Sequence, residues 1–280
     1  MLRSAGIYVG VLLSLVVPFC AARDCSAQFS DNPALCRLES KARNGDPEAQ
    51  YQLGLALDKG LAVASDCHAA AEWYTRAADH GHAAAQNNLA VLYATGCGIP
   101  QSDEEAAKWY LRAAAGGFAT AQNNIGYAYE TGRGVRQSDE AAVHWYKEAA
   151  DQHYPPALAN LASHYMSGRG IARSEEEAVR LERLAAERGL VTAEAAVGQM
   201  YFVGWHVEKN LDTAIHWFKR AAEHGYAPAQ NMLGELLEHG SGVPQDRDAA
   251  RQWYAKAAAA GSAAAQKNLE RMGTSLSAGR

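Results

Sequence analysis

The amino-acid sequence predicts an all-α protein, a solenoid of six 36-residue helix-turn-helix repeats with capping helices at both ends. The first observation is the pair Ala-Gln, which recurs at multiples of 36 residues without insertion or deletion. It is complete at Ala49-Gln50, Ala85-Gln86, Ala121-Gln122, Ala229-Gln230 and Ala265-Gln266, and the alanine alone is kept at Ala157 and Ala193. The second is a glycine eleven residues after each of the first six alanines. Such a period is typical of solenoids, in which each repeat buries its apolar face only against its neighbours.

Each repeat begins with a predicted helix that ends at this glycine. Leu89 and Tyr93 follow Ala85 at steps of four, which places the three on one apolar stripe. Glycine adopts the left-handed conformation of a helix end without a Cβ penalty. The predicted helix ends are Gly60, Gly96, Gly132, Gly168, Gly204 and Gly240.

A second predicted helix follows in every repeat and begins at a residue whose side chain can accept a backbone N–H. These residues are Asp66, Ser102, Ser138, Ser174, Asn210 and Asp246. Alanine columns and pairs such as Trp73-Tyr74 are expected to form its buried side. The fourth copy departs most from the pattern, because Leu181-Glu182 stands in place of the aromatic pair.

These residues resemble the Sel-one-like repeat family, a relative of the tetratricopeptide repeat. The matching string is Ala-x-x-x-Leu-Gly-x-x-Tyr-x-x-Gly-x-Gly-Val, then Asp or Ser, then Ala-x-x-Trp-Tyr-x-x-Ala-Ala-x-x-Gly. The resemblance implies a right-handed α/α solenoid that acts as an adaptor. The expected repeats are residues 49–84, 85–120, 121–156, 157–192, 193–228 and 229–264.

The two ends of the repeat array are expected to be capped. Residues 23–48 comprise a leader and a helix in phase with the second helices. Residues 265–280 comprise a final first-type helix that ends at Met272 and a small, polar tail from Gly273 that is expected to be disordered.

The amino terminus resembles a secretory signal peptide, residues 1–22. Arg3 precedes an apolar run and then small residues, so cleavage is expected after Ala22 or Ala27. The run is too short to span a bilayer comfortably, and we expect no membrane span in the mature form. The predicted location is periplasmic or secreted.

Removal of residues 1–22 leaves four cysteines, Cys25, Cys36, Cys67 and Cys97, an even number that suits an oxidising compartment. Three connectivities are possible. Pairing of Cys25 with Cys36 and of Cys67 with Cys97 is favoured by their places in the repeats, and free thiols stay open as an alternative. No Cys-x-x-Cys spacing indicates a metal site, and no cofactor is expected.

Charge and motifs exclude several function classes. The net charge of −5 and the pI of about 6.1 provide no basic footprint for nucleic acid. No Ser-x-x-Lys, Gly-x-Ser-x-Gly or His-Glu-x-x-His motif is found, so no catalytic residue is expected.

Candidate binding residues lie between the recurring alanine, glycine and aromatic positions of the repeats. Asparagine amides on the first helices could grip an extended peptide, or they could instead bridge neighbouring helices within the solenoid. The loop arginines could bind an acidic group, and an exposed tryptophan is a typical interface residue, although packed or solvated side chains are the alternative for all three. The candidates are Asn87, Asn88, Asn123, Asn124, Asn160, Asn231, Arg133, Arg169 and Trp205.

The function expected from these observations is an exported, non-enzymatic scaffold, monomeric, that binds a protein or peptide on the concave face of the first helices. The resemblance leaves one alternative open, because some cysteine-rich exported relatives are described as penicillin-binding proteins or β-lactamases. Those relatives carry a cysteine pair in each repeat, which this chain does not.

Overall fold

A computed structural model of the protein describes residues 25–277 of the 280-residue chain. The predicted signal peptide, residues 1–22, lies outside the described residues. Within residues 25–277 all regular elements are helical, a 3-10 turn at Ala27–Phe29 and fourteen α-helices. They are α1 (Pro33–Arg43), α2 (Pro47–Lys59), α3 (Cys67–Asp79), α4 (Ala83–Thr95), α5 (Asp103–Ala115), α6 (Ala119–Thr131), α7 (Asp139–Asp151), α8 (Pro155–Ser167), α9 (Glu175–Glu187), α10 (Val191–Val203), α11 (Leu211–Glu223), α12 (Ala227–His239), α13 (Arg247–Ala259) and α14 (Ala263–Ser277).

The helices stack in chain order and confirm the predicted solenoid. Each second helix (α3, α5, α7, α9, α11 and α13) packs against the first helix of its own repeat and against the first helix of the next. Helix α1 covers α2 at one end, and α14 covers α13 at the other. No helix of residues 25–277 has the length and apolar character needed to cross a bilayer.

Helix ends lie where the repeat pattern predicts them. All six first helices end at a glycine in the left-handed conformation, for example Gly132 with a φ of 75°. All six second helices begin after a residue whose side chain accepts a backbone N–H, as Ser138 does from Ala141. Each such cap stabilises its helix by about 1 kcal/mol.

The Ala-Gln pair has a structural explanation. The alanine is buried at the helix contact, and the glutamine Nε2 donates to a carbonyl oxygen eight residues earlier, near the end of the preceding helix. The four bonds, 3.0 to 3.2 Å long, join Gln50 to Ala42, Gln86 to Ala78, Gln122 to Ala114 and Gln230 to Ala222. They satisfy carbonyls that a helix end leaves without an intrahelical partner.

A second close contact joins the two helices of a repeat. In the third repeat the ring of Tyr146 lies flat on Gly126, where a Cβ would come within 2.8 Å of the ring. The same pairing holds for Gly54 with Tyr74, Gly198 with Phe218 and Gly234 with Tyr254. The second and fourth repeats differ, because Ala90 and Ala162 occupy the glycine position.

The carboxyl end differs from the prediction. Helix α14 continues to Ser277, so the expected helix end at Met272 is wrong. Gly273 keeps a negative φ and extends the helix. The terminating glycine of the other first helices lies eleven residues after the alanine, and Leu276 occupies that position in α14.

The structure joins Cys25 to Cys36 and Cys67 to Cys97, the connectivity that the sequence favours. Their Cα atoms lie 5.2 and 5.5 Å apart, within the usual range for disulfides. The first bond ties the leader to α1, and the second ties the start of α3 to the loop after α4.

Candidate binding groove

Three of the loops that join the two helices of a repeat are fastened to the start of the second helix of the preceding repeat. Cys97 bonds to Cys67, and 36 residues later the equivalent positions form an ion pair, with Arg133 Nη2 2.9 Å from Asp103 Oδ1. Arg169 repeats the contact with Asp139 at 2.7 Å, and its hydrogen bond lowers the pKa of that carboxyl. These contacts account for both loop arginines without a ligand.

Trp205 occupies the next position in this series, and no acidic residue among residues 25–277 holds its indole. Its neighbour His206 occupies the position of Gly134 and Gly170, has a φ of 55°, and pairs through Nδ1 with Glu175 at 2.6 Å. The indole is 44% exposed. It therefore lies free of the loop contact and lines a cavity between α8 and α10.

The asparagines form a ladder between successive first helices. Asn124 Nδ2 donates to Asn87 Oδ1 at 3.0 Å, and Asn160 Nδ2 donates to Asn123 Oδ1 at 2.9 Å. The bridging role that the sequence left open is thus present. Among the described residues the Oδ1 atoms of Asn124 and Asn160 have no donor, so these oxygens stay available to a ligand.

The remaining asparagine candidates, Asn88 and Asn231, are held by other contacts. Asn88 Nδ2 donates to the hydroxyl of Tyr74 at 3.1 Å. Asn231 accepts from Asn268 at 3.0 Å and donates to Glu235 at 2.8 Å, near the carboxyl end of the array.

Two cavities open side by side on the first-helix face. The Tyr127 cavity, about 150 Å³, is lined by Tyr110, Asn124, Tyr127 and Asn160 among others. The Glu182 cavity, about 430 Å³, is lined by Asn160, Met166, Glu182, Met200 and Trp205 among others. Asn160 lines both, and we call the two cavities together the groove; Tyr127, 50% exposed, lies in one cavity and Trp205 in the other.

The Glu182 cavity results from substitutions in the fourth repeat. In the third repeat, the Tyr146 ring fills the equivalent space and its hydroxyl donates to Glu130 at 2.8 Å. Residues 36 positions later are Ala162, Met166 and Glu182. The carboxylate is shorter than the phenol and makes no hydrogen bond or ion pair within residues 25–277, and its burial raises its pKa to about 7.

Sequence reasoning missed part of this groove. Glu182 carried a signal, its departure from the Trp-Tyr pattern. Tyr127 carried none, because Val91 and Ser163 occupy the same column and no residue type recurs there. Within the described part of the chain, no group of three or more histidine, cysteine, aspartate or glutamate residues could hold a metal ion.

Comparison with protein families finds six consecutive matches to the Sel1 repeat. They cover residues 47–82, 83–118, 119–154, 155–190, 191–226 and 227–262, beginning at 47 where we predicted 49. Repeat number and period agree with the prediction. No curated protein sequence matches the chain.

Three solved structures resemble this chain, two at more than 30% sequence identity and one at 22%. The protective antigen c5321 of uropathogenic Escherichia coli is 32% identical with a TM-score of 0.74, and the match covers 84% of this chain and 50% of the antigen. This chain therefore spans about half the length of that antigen. A Sel1 repeat protein from Oxalobacter formigenes is 31% identical with a TM-score of 0.71, covering 80% and 90% of the two chains. The immunity protein Pa5087 from Pseudomonas aeruginosa, 22% identical with a TM-score of 0.52 over 75% and 80%, shares the fold alone.

Proposed function

The chain belongs to the Sel1 repeat family, and from this premise we propose that it is an exported, non-catalytic scaffold that binds an extended segment of a partner protein along the groove. Sel1 repeat scaffolds typically mediate protein–protein interaction. The groove crosses the first helices, the face that we expect to be concave. A monomer leaves this face open to a partner.

One observation carries the proposal, the exposure of two aromatic side chains at the two ends of the groove. Tyr127 and Trp205 are 50% and 44% exposed, whereas the recurring tryptophans and tyrosines of the repeats are buried or half-buried. Aromatic side chains that a partner can desolvate contribute a large share of interface affinity. Between them, Asn160 is held in a fixed orientation by its bond to Asn123, which lowers the entropic cost of using its free oxygen.

Export is supported by two features. The two disulfides require an oxidising compartment, which the cytoplasm is not. The E. coli relative is called a protective antigen, a description that suits a protein accessible from outside the cell.

Replacement of both aromatic residues, Tyr127→Ala with Trp205→Ala, is expected to weaken peptide binding at least about 30-fold, the loss typical of an interface hot spot. Peptides selected from a random library on the wild-type protein serve as ligands, and fluorescence anisotropy measures the affinity. Leu61→Ala removes an equally exposed apolar side chain from the first loop and is expected to bind as the wild type does. Unchanged affinity of the double variant would contradict binding in the groove, and nitrocefin turnover that a point variant abolishes would contradict a non-catalytic scaffold.

Asn160→Ala is expected to lower the affinity for the same peptides about threefold to tenfold, because it removes the free amide oxygen in the middle of the groove. Asn268→Ala is the matched control. It breaks the equivalent bridge, from Asn268 Nδ2 to Asn231 Oδ1, at the far end of the array. If both variants bind peptide equally well, the asparagine ladder has only a structural role.

A further inference from the structure

Two departures from the repeat pattern, made by different repeats, meet in the Glu182 cavity. In the fourth repeat Glu182 replaces the core tyrosine, and in the fifth loop Trp205 stands where Arg133 and Arg169 stand in earlier loops. Together they place a carboxylate and an exposed indole on the same cavity of about 430 Å³.

The cavity combines one charge with apolar walls. Met166 and Met200 line it from α8 and α10, and Trp205 lines it from the fifth loop. Among the lining residues of the described chain, Glu182 is the only one with a charge. A negative group beside thioether and indole surfaces complements a cation on an aliphatic stem, since methylenes pack on apolar walls and an ammonium or guanidinium is attracted to an indole face.

Within the part of the chain that the structure describes, the Glu182 carboxylate also lacks a partner of its own. Other glutamates withdrawn from solvent in this solenoid are paired, as Glu194 is with Arg220 at 2.9 Å and Glu238 with Arg271 at 2.5 Å. Burial without a partner disfavours the charged form, and the raised pKa of Glu182 reflects this cost. A cation entering the cavity would supply the missing partner and offset the cost.

We propose that the Glu182 cavity receives the side chain of a lysine or arginine from the bound segment. The basic head pairs with the Glu182 carboxylate, the stem lies between Met166 and Met200, and Trp205 covers the head. This inference rests on the proposed function and adds to it one basic anchor residue in the partner's segment.

The test uses random peptides selected on the full-length protein. We expect a lysine or arginine to recur at one position of the selected peptides, and its replacement by norleucine to weaken binding about tenfold, or about 1.4 kcal/mol. A second arm titrates Nα-acetyl-lysine-N-methylamide and its arginine and norleucine analogues while NMR records the Trp205 indole N–H. The two basic probes are expected to shift that signal, and the neutral probe is not.

Glu182→Gln keeps the shape of the side chain and removes its charge. We expect it to lower the affinity for the basic peptides about tenfold, to abolish their advantage over the norleucine peptides, and to unfold no earlier than the wild type. Glu148→Gln removes the same charge from an exposed position on α7 and is expected to change neither property. The pair Ala162→Gly with Glu182→Tyr restores the third-repeat contact, fills the cavity and is expected to remove the basic preference.

The outcomes separate the two proposals. If selected peptides bind through Tyr127 and Trp205 yet show no basic position, and Glu182→Gln binds them as the wild type does, the cavity assignment is overturned and the scaffold function stands. If no peptide is selected but the basic probes shift the indole signal in the wild type and not in Glu182→Gln, the cavity assignment stands. If neither library nor probe binds, both are overturned.

Discussion

Gly134→Ala is expected to destabilise the solenoid by about 2–5 kcal/mol. Gly134 has a φ of 69°, and a Cβ there would overlap the carbonyl group of Asp103 at the start of α5. The left-handed conformation costs an alanine about 1–2 kcal/mol. Overlap with helical backbone adds about 1–3 kcal/mol, because the loop can relieve it only by moving away from α5. Equilibrium urea unfolding followed by circular dichroism measures the loss.

Gly117→Ala is the control that separates these two costs. Gly117 has a φ of 84°, and apart from its chain neighbours no heavy atom of residues 25–277 lies within 4 Å of the position of a Cβ. Its replacement is expected to cost only the conformational part, about 1–2 kcal/mol. If Gly134→Ala and Gly117→Ala are equally stable, the close approach of the loop to α5 does not limit the residue at position 134.

Removal of the Cys67–Cys97 bond, by replacement of both cysteines with alanine, is expected to lower the free energy of unfolding by ~3.6 kcal/mol, because the bond closes a loop of 30 residues. The bond stabilises the fold chiefly because it restricts the unfolded chain. Cys67→Asp with Cys97→Arg would convert it to the pair that Asp103 and Arg133 form one repeat later. This conversion is expected to recover no more than about 1 kcal/mol, since exposed ion pairs contribute little. Urea unfolding and hydrogen exchange of α3 and α4 amides measure both effects.

Two comparisons make that prediction specific. Arg133→Ala removes the equivalent ion pair and is expected to cost less than about 1 kcal/mol. Loss of the Cys25–Cys36 bond, which closes 11 residues at the amino end, is expected to cost ~2.8 kcal/mol and to affect exchange in α1 alone. If loss of the Cys67–Cys97 bond costs no more than loss of the ion pair, constraint of the unfolded chain is not its main contribution.

Local chemistry made the helices predictable. Gly132 ends α6 and Ser138 begins α7 because their backbone and side-chain preferences act over three or four residues, within the range of sequence reasoning. The predicted end of α14 at Met272 was wrong, because the small, polar residues after it continue the helix through Gly273 to Ser277. Position within the period, and not residue type alone, decides where these helices end.

The candidate groove was predictable only in outline. The asparagines were identified, but their mutual bonds depend on the spacing of α4, α6 and α8, which no single repeat contains. Trp205 was identified by type. Its meeting with Glu182 was not, because 23 residues separate them along the chain and only the packing of α8, α9 and α10 brings both to one cavity.

The sequence by itself determined the number of repeats, their period and the ends of most helices, because each follows from residues that recur at a constant spacing. The tertiary structure alone decided which exceptions act together. A substitution leaves a cavity only where neighbouring helices cannot close over it, and a side chain lines that cavity only if the path of its loop carries it there. Both conditions depend on contacts between repeats, and it is these contacts that bring Glu182, Trp205 and Asn160 to one groove.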